Sequence, residues 1–428
     1  MKVLVLIILI SHLSLADESK NLSIVQLASG DNFTCALFDS GRAKCWGMNL
    51  SGQLGYGDIN SRGKKADTVG KNLPFIDFGT DLFLEELSTG QAHVCARVRG
   101  KNAPICWGAN EKHQLGHGAG NNVGSGKDQM NKLSEVPLKD VSPVIRLTSG
   151  DYFTCGLHDS GKVECWGANW NGEGRNSPEN EFDYDPTPPP EVNAHDLVNF
   201  GKDSKAVEIV GGSDFVCARF AAGNVRCIGV NFAGQLGVGD TTARKSNEGN
   251  DVMLGGPAEF LVAGSFHACA GLKGGNFKCW GRNDNGQLGQ GDRRARGMLT
   301  NDMAELMPID LGMKARVVAA AASYRKTCAV LSNRAVKCWG ITNPFPNETI
   351  DVGAKPGDMG DNLDFTDFGR LARVQELVMG LGHSCARLSG AKIRCIGNNA
   401  EGQLGNASET SRTYSETIAE EISPVLLF

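Results

Sequence analysis

The sequence predicts an all-β protein built from seven copies of one repeat, each copy stapled by its own disulfide. Three observations carry this prediction. The 14 cysteines fall in seven close pairs: Cys35 with Cys45, Cys95 with Cys106, Cys155 with Cys165, Cys217 with Cys227, Cys269 with Cys279, Cys328 with Cys338, and Cys385 with Cys395. Their first members step along the chain by 60, 60, 62, 52, 59 and 57 residues, an interval at which repeats should be sought before domains are counted. Glycine supplies 55 of 428 residues, a share that suits a turn-dense all-β chain, because glycine takes positive φ without steric cost.

Each copy opens with a β-branched or apolar run ending in glycine, as in Ile24-Val25-Gln26-Leu27-Ala28-Ser29-Gly30 and Val144-Ile145-Arg146-Leu147-Thr148-Ser149-Gly150. Two residues before the first cysteine stands Phe or His in six copies: Phe33, His93, Phe153, Phe215, His267 and His383. Copy six has Lys326 there. The three histidines share their place with phenylalanine, so a packed, hydrogen-bonded role is expected of them rather than catalysis. In the first copy, Asp39-Ser40-Gly41 forms a three-residue hairpin loop with glycine last. Pairing Phe38 with Arg42 then sets Leu37 opposite Ala43, Ala36 opposite Lys44 and Cys35 opposite Cys45. On a non-hydrogen-bonded pair the Cα atoms approach to ~4.5 Å, a span a disulfide can bridge. Copy two has a looser loop, Arg99-Gly100-Lys101-Asn102. Zinc is the rival reading of paired cysteines, but zinc ligands stand two to four residues apart, and these pairs stand about ten apart.

After the second cysteine comes Trp-Gly in five copies (Trp46, Trp107, Trp166, Trp280, Trp339) and Ile-Gly in two (Ile228, Ile396). Gly-Gln-Leu-Gly follows at Gly52, Gly234, Gly286 and Gly402, with His113-Gln114-Leu115-Gly116 as a near match. Copy three has Asn171-Gly172-Glu173-Gly174 instead, and copy six loses the motif at Ile341-Thr342-Asn343-Pro344. The pattern G-x-x-[FH]-x-C-A-L … C-W-G-x-N-x-x-G-Q-L-G, most complete over 30–55, resembles the repeat of the regulator of chromosome condensation family. That resemblance covers about 23–428 and implies a seven-bladed β-propeller of antiparallel four-stranded blades, with one disulfide inside each blade. Repeats are placed near 23, 84, 144, 207, 259, 316 and 374, within a single domain over 17–428. The terminal strand 422–428 is expected to complete blade one and so remove an open sheet edge.

The N-terminus reads as a signal peptide over 1–16: Lys2, an apolar run over 3–10, and small residues at Ser14 and Ala16. The run is short for a membrane span, so a soluble, secreted protein is expected, in an oxidising compartment that favours disulfides. Sequons stand at Asn21, Asn32, Asn49, Asn347 and Asn406. All but Asn32, which lies in an expected strand, are candidate glycosylation sites.

No catalytic, metal or cofactor constellation emerges. Gly124-Ser125-Gly126-Lys127 lacks the rest of a phosphate loop, and glycines flank His113 and His117. Asp358, Asp361, Asp364 and Asp367 lack the ligand spacing of a calcium loop. Pro186, Pro188, Pro189 and Pro190 beside Glu179, Glu181, Asp183 and Asp185 read as an exposed linker. Arg293, Arg294 and Arg296, with Arg244 and Lys245 from the preceding copy, form the one basic cluster and a candidate binding patch for an acidic protein or a glycan. The net charge of −5 gives no electrostatic reason to expect nucleic acid. The expectation is a secreted, non-enzymatic scaffold that binds another protein, in the manner of an inhibitor or recognition protein. The family resemblance implies as a first alternative nucleotide exchange on a small GTPase. An extracellular glycan-acting enzyme is the second.

Overall fold

The computed structural model describes residues 22–117, 120–168, 195–201, 205–246, 249–341, 351–369, 372–390, 392–408 and 427. The described chain forms seven antiparallel sheets, each containing three strands in chain order. In blade one these are an inner strand Ile24–Ser29, a middle strand Phe33–Phe38 and a third strand Ala43–Gly47. The middle strand is buried along its whole length, which explains why it reads as a continuous apolar run rather than an alternation. The register pairs Cys35 with Cys45, Ala36 with Lys44 and Leu37 with Ala43. Gly41, at φ +73, turns the loop so that the Phe38 N–H can donate to the Arg42 carbonyl.

The predicted disulfide framework is present in full. Cys35 is joined to Cys45, Cys95 to Cys106, Cys155 to Cys165 and Cys217 to Cys227. Cys269 is joined to Cys279, Cys328 to Cys338 and Cys385 to Cys395. The Cα atoms lie 4.0 to 4.1 Å apart, and no bridge links one blade to another. The looser loop of copy two still sets Cys95 opposite Cys106, with one more residue between them. Every inner strand also bulges at its second residue, as between Ile24 and Gln26 and between Val374 and Glu376. Such bulges add twist, and all seven blades share this one.

The fourth strand is less regular than the sequence suggests. Blade three has a two-residue strand, Asp196–Leu197, and blade six has two such pieces, Asp351–Val352 and Phe365–Thr366. In blades one, two, four and five the outer segment is held by a ladder-like bond: Ile76, Val136, Val252 and Ile309 donate to Ala43, Pro104, Val225 and Phe277. Pro74 and Pro308 lie in two of these segments and have no N–H to offer a longer ladder.

Of the terminal segment expected to complete blade one, only Leu427 lies among the described residues. Blade one's outer edge is taken by its own segment around Ile76. Leu427, the described residue of 422–428, is buried at the junction of blades seven and one, and its carbonyl accepts from Lys44 Nζ at 2.7 Å. Lys337 treats Leu311, on the outer segment of the preceding blade, in the same way. Leu427 thus stands to Lys44 of blade one as Leu311 stands to Lys337 of blade six. The rest of the tail, the signal segment 1–16, the linker prolines and Asn171-Gly172-Glu173-Gly174 lie outside the described residues.

Tryptophan and glutamine join the blades. Each indole N–H among the described residues donates to the main-chain carbonyl of the glutamine in the preceding blade's Gly-Gln-Leu-Gly or related loop. Trp107 reaches Gln53, Trp166 reaches Gln114, Trp280 reaches Gln235 and Trp339 reaches Gln287, at 2.9 to 3.1 Å. Trp46 closes the circle onto Gln403 at 3.0 Å. The two blades with isoleucine in place of tryptophan, at Ile228 and Ile396, are the two that follow copies lacking the motif. A buried indole N–H without its acceptor would cost ~1–3 kcal/mol, whereas isoleucine asks for none.

Candidate protein-binding face

The sequence frames the axis of the propeller with one glycine from nearly every blade. Gly30, Gly90, Gly150, Gly212, Gly264 and Gly380 end their inner strands, with Ser323 in blade six. A Cβ on Gly90 would lie 2.4 Å from the Gly150 carbonyl oxygen and 2.1 Å from the His93 ring, so the blades approach here as closely as glycine allows. The residues that follow line a cavity of about 180 Å³ on the axis: Asp31, Gln91, Asp151, Ser213, Ser265 and Tyr324. A belt of main-chain bonds links them from blade to blade. Leu381 donates to Asp31, Asp31 to Gln91, Gln91 to Asp151, Asp151 to Ser213, and Ser213 to Ser265, at 3.0 to 3.4 Å. In blade six the inner strand Val317–Ser323 is one residue longer than the others and brings Tyr324 to the mouth. Burial pushes the Asp31 carboxyl up to about 8, helped by the charge of Asp151 and opposed by a hydrogen bond from Gln91.

Beneath the mouth the three histidines are buried and face the next blade. His93 Nε2 meets Thr154 Oγ1 at 2.9 Å, His267 meets Thr327 at 2.9 Å, and His383 meets Thr34 at 2.8 Å. Desolvation holds the His93 ring down to about 3 and the His267 and His383 rings down to about 4, so all three are neutral at physiological pH. Where the position is phenylalanine, the facing residue is aliphatic. Phe33 packs in one cluster with Val94, Phe153 with Val216, and Phe215 with Ala268. Lys326, whose amine burial holds well below its ordinary value, precedes a blade with Ser384 at the facing position. These side chains are committed to joining blades. Across all seven junctions, polar residues precede hydroxyls and phenylalanines precede apolar side chains. The cysteines are committed as well: Cys45, Cys106, Cys165, Cys227, Cys279, Cys338 and Cys395 are buried with their partners, and none is left as a thiol.

The four arginines of the predicted basic patch are ion-paired, and Arg293 and Arg294 keep about half of their side-chain surface exposed. Arg244 pairs with Asp240 at 2.5 Å, Arg296 with Asp292 at 2.7 Å, Arg293 with Asp351 at 2.7 Å and Arg294 with Asp302 at 2.8 Å. Lys245 is exposed on the bend beside Arg244. Arg62, Arg244 and Arg296 hold one register position, each bridged to the glycine that ends its blade's third strand and each paired with an aspartate four residues earlier. The sequence signal was present as Gly-Gln-Leu-Gly-x-Gly-Asp-x-x-x-Arg at 52–62, 234–244 and 286–296. These arginines shape the loops.

Asn49 is removed as a glycosylation site in the folded chain. Its side chain is fully buried, with Nδ2 donating to Asp58 and Oδ1 accepting from the Leu54 N–H. Asn231, Asn283 and Asn399 accept from Leu236, Leu288 and Leu404 in the same way. Asn406 is partly exposed, while Asn21 and Asn347 lie outside the described residues. Among the described residues no group of three or more His, Cys, Asp or Glu side chains is placed to hold a metal. Asp358 caps the Gly353 and Lys355 N–H groups, and Asp367 caps Gly369. No helix among them is long and apolar enough to cross a membrane.

Seven disulfide-stapled blades around a narrow axial mouth define a β-propeller. Residues 24–53, 144–175 and 260–287 match the model of the regulator of chromosome condensation (RCC1) repeat. It is 27% identical over 288 residues to protein pim1 of Schizosaccharomyces pombe, across 64% of this chain and 49% of pim1, so the match spans about half the length of that relative. It is 22% identical over 405 residues to the ultraviolet-B receptor UVR8 of Arabidopsis thaliana, across 92% of this chain and 81% of UVR8. Among solved structures, human WBSCR16 superposes with a TM-score of 0.64 at 18% identity, over 90% of this chain and 92% of that one. Yeast RCC1 (Prp20), solved bound to Kap60, superposes with a TM-score of 0.64 at 16% identity, over 96% and 88%.

Proposed function

We propose that this protein is a secreted, non-enzymatic scaffold that recognises another protein through the face bearing the axial mouth. One observation carries the reading. The framework positions repeat from blade to blade, yet the mouth positions do not: Asp31, Gln91, Asp151, Ser213, Ser265, Tyr324 and Leu381 differ in charge, size and polarity. A frame that holds its backbone constant while varying one ring of side chains presents an asymmetric surface, which suits an asymmetric macromolecule better than a symmetric small ligand. The yeast propeller it resembles is described as bound to Kap60 and as binding Gsp1p and histones, which supports protein recognition as the use of this fold. The apolar segment at 3–10 and the full use of cysteine in disulfides support export.

The test uses the full oxidised chain, immobilised and exposed to extracellular medium from cells that express it. A specific protein should be retained, and Asp31→Asn with Asp151→Asn should weaken that retention. Failure to appear in the medium on expression would refute export. Retention of no specific protein, or retention indifferent to both aspartates, would refute the assigned face.

A further inference from the structure

Blade three departs from its siblings at two buried positions at once. At the end of the middle strand the other blades carry Phe38, Val98, Phe220, Leu272, Leu331 and Leu388, whereas blade three carries His158. One residue before the second cysteine they carry Lys44, Ile105, Arg226, Lys278, Lys337 and Arg394, whereas blade three carries Glu164. Both side chains are fully buried, and they face each other. His158 Nδ1 lies 2.8 Å from the Ser142 carbonyl oxygen, and Nε2 lies 3.5 Å from Glu164 Oε2. Nδ1 therefore meets an acceptor at hydrogen-bond distance, while Nε2 lies near a carboxylate oxygen without a hydrogen bond to it. A neutral imidazole has one N–H and can turn it to only one of these oxygens, leaving a lone pair facing the other. The imidazolium can donate to the Ser142 carbonyl and set its positive charge against the Glu164 carboxylate.

The proton belongs to the ring rather than to Glu164. Glu164 already accepts two main-chain N–H groups, from Lys139 at 2.8 Å and Asp140 at 3.0 Å, and such bonds favour the charged carboxylate. Asp140 adds a second carboxylate, 4.0 Å from Nδ1. It is fixed by the Ser142 and Ser160 hydroxyls and by Lys162 Nζ at 3.3 Å. Lys139 pairs with Asp196, and His195, which feels the charge of Glu164, is held below its ordinary value chiefly by burial. Two carboxylates and a carbonyl thus outweigh the one lysine that shares them. The segment they hold, residues 139–142, carries the chain from blade two into blade three.

We infer that His158 and Glu164 form a pH-sensitive clasp: the doubly protonated ring pins the crossing between blades two and three, and loss of one proton releases it. Burial opposes the charge, but Glu164, the Ser142 carbonyl and Asp140 together hold the ring above the ordinary histidine value. The sign follows from linkage. The clasp stabilises the fold below the ordinary histidine value of 6.5 and is lost as pH rises through the raised one.

Two measurements on the intact oxidised chain test this. Histidine C2 deuterium exchange, read by mass spectrometry, gives the titration midpoint of His158 without any substitution. It should lie above the ordinary value, and a midpoint at or below it overturns the proposal. Amide exchange over 139–142, corrected for intrinsic rates, should quicken roughly tenfold once the ring is neutral, the factor expected for one lost charge-assisted hydrogen bond. In His158→Leu/Glu164→Lys, which restores the residues of blades five and six, that step should vanish. Protection that does not change with pH, or a step that persists in the folded double variant, also overturns it.

Discussion

The junction between blades seven and one offers a direct measure of how the blades recognise each other. His383 Nε2 and Thr34 Oγ1 lie 2.8 Å apart, both fully buried, and 349 residues separate them in the chain. Thr34→Val keeps the shape and removes the hydroxyl, leaving a buried ring nitrogen unpaired at ~1–3 kcal/mol. His383→Phe removes the other partner and leaves the hydroxyl with Ser29 Oγ at 3.3 Å, at a cost of ~1–2 kcal/mol. The double variant recreates the pairing used between blades one and two, where Phe33 packs with Val94. It should lie within ~1 kcal/mol of the natural protein, since replacing both partners by apolar groups of similar shape is nearly neutral. Reversible urea unfolding of the four proteins gives the cycle, with the expected coupling ~1–3 kcal/mol in favour of matched pairs. Costs that add to within ~0.5 kcal/mol would refute the matching rule, because independent sites behave that way.

Other expectations follow from the same contacts. The three buried neutral histidines have values depressed to about 3 and about 4, so the unfolded chain binds more protons than the folded one as pH falls below 6.5. Stability should therefore fall from pH 6.5 toward 4, by at most about 4 kcal/mol per pH unit for three protons, and His383→Phe/Thr34→Val should take up one proton fewer on acid unfolding. Gly90→Ala puts a methyl 2.4 Å from a neighbouring carbonyl oxygen, and the yield of folded, disulfide-complete protein should collapse. Trp107→Phe leaves the Gln53 carbonyl without its donor and should lower stability by ~1 kcal/mol beyond the lost packing, measured by the urea midpoint. Replacing both Cys269 and Cys279 by serine opens a loop of 10 residues and should cost ~2–3 kcal/mol while the other six bridges still form, as peptide mapping would show.

Much of the architecture was legible because its signals are local. The hairpin register needs only the loop Asp39-Ser40-Gly41 and the alternation of a strand, and Cys35 and Cys45 meet where that counting puts them. What joins the blades was not legible in the same way. Trp166 and the Gln114 carbonyl it reaches stand 52 residues apart, and a main-chain acceptor leaves no mark on residue type. The ion pairs of the basic cluster were not legible, because charges read along a chain carry no sign of their partners. Arg293 answers to Asp351, 58 positions away, as 351 − 293 gives. The sequon at Asn49 misled for a related reason, since the amide that would carry a sugar is the one that organises the Gly-Gln-Leu-Gly loop. The mouth residues were within reach. Aligning the copies at their terminal glycines and reading one place further gives Asp31, Gln91 and Asp151 directly.

The matched junctions bear on how such a protein can change. A copy inserted or exchanged whole would bring its own lock to a neighbour cut for another key: blade five placed after blade two would set Ala268 against His93 and strand a nitrogen in the dark. New blades can therefore be accepted only when both flanks alter together. The same constraint discourages two molecules from trading segments out of turn, which gives the ring a defence against polymerising.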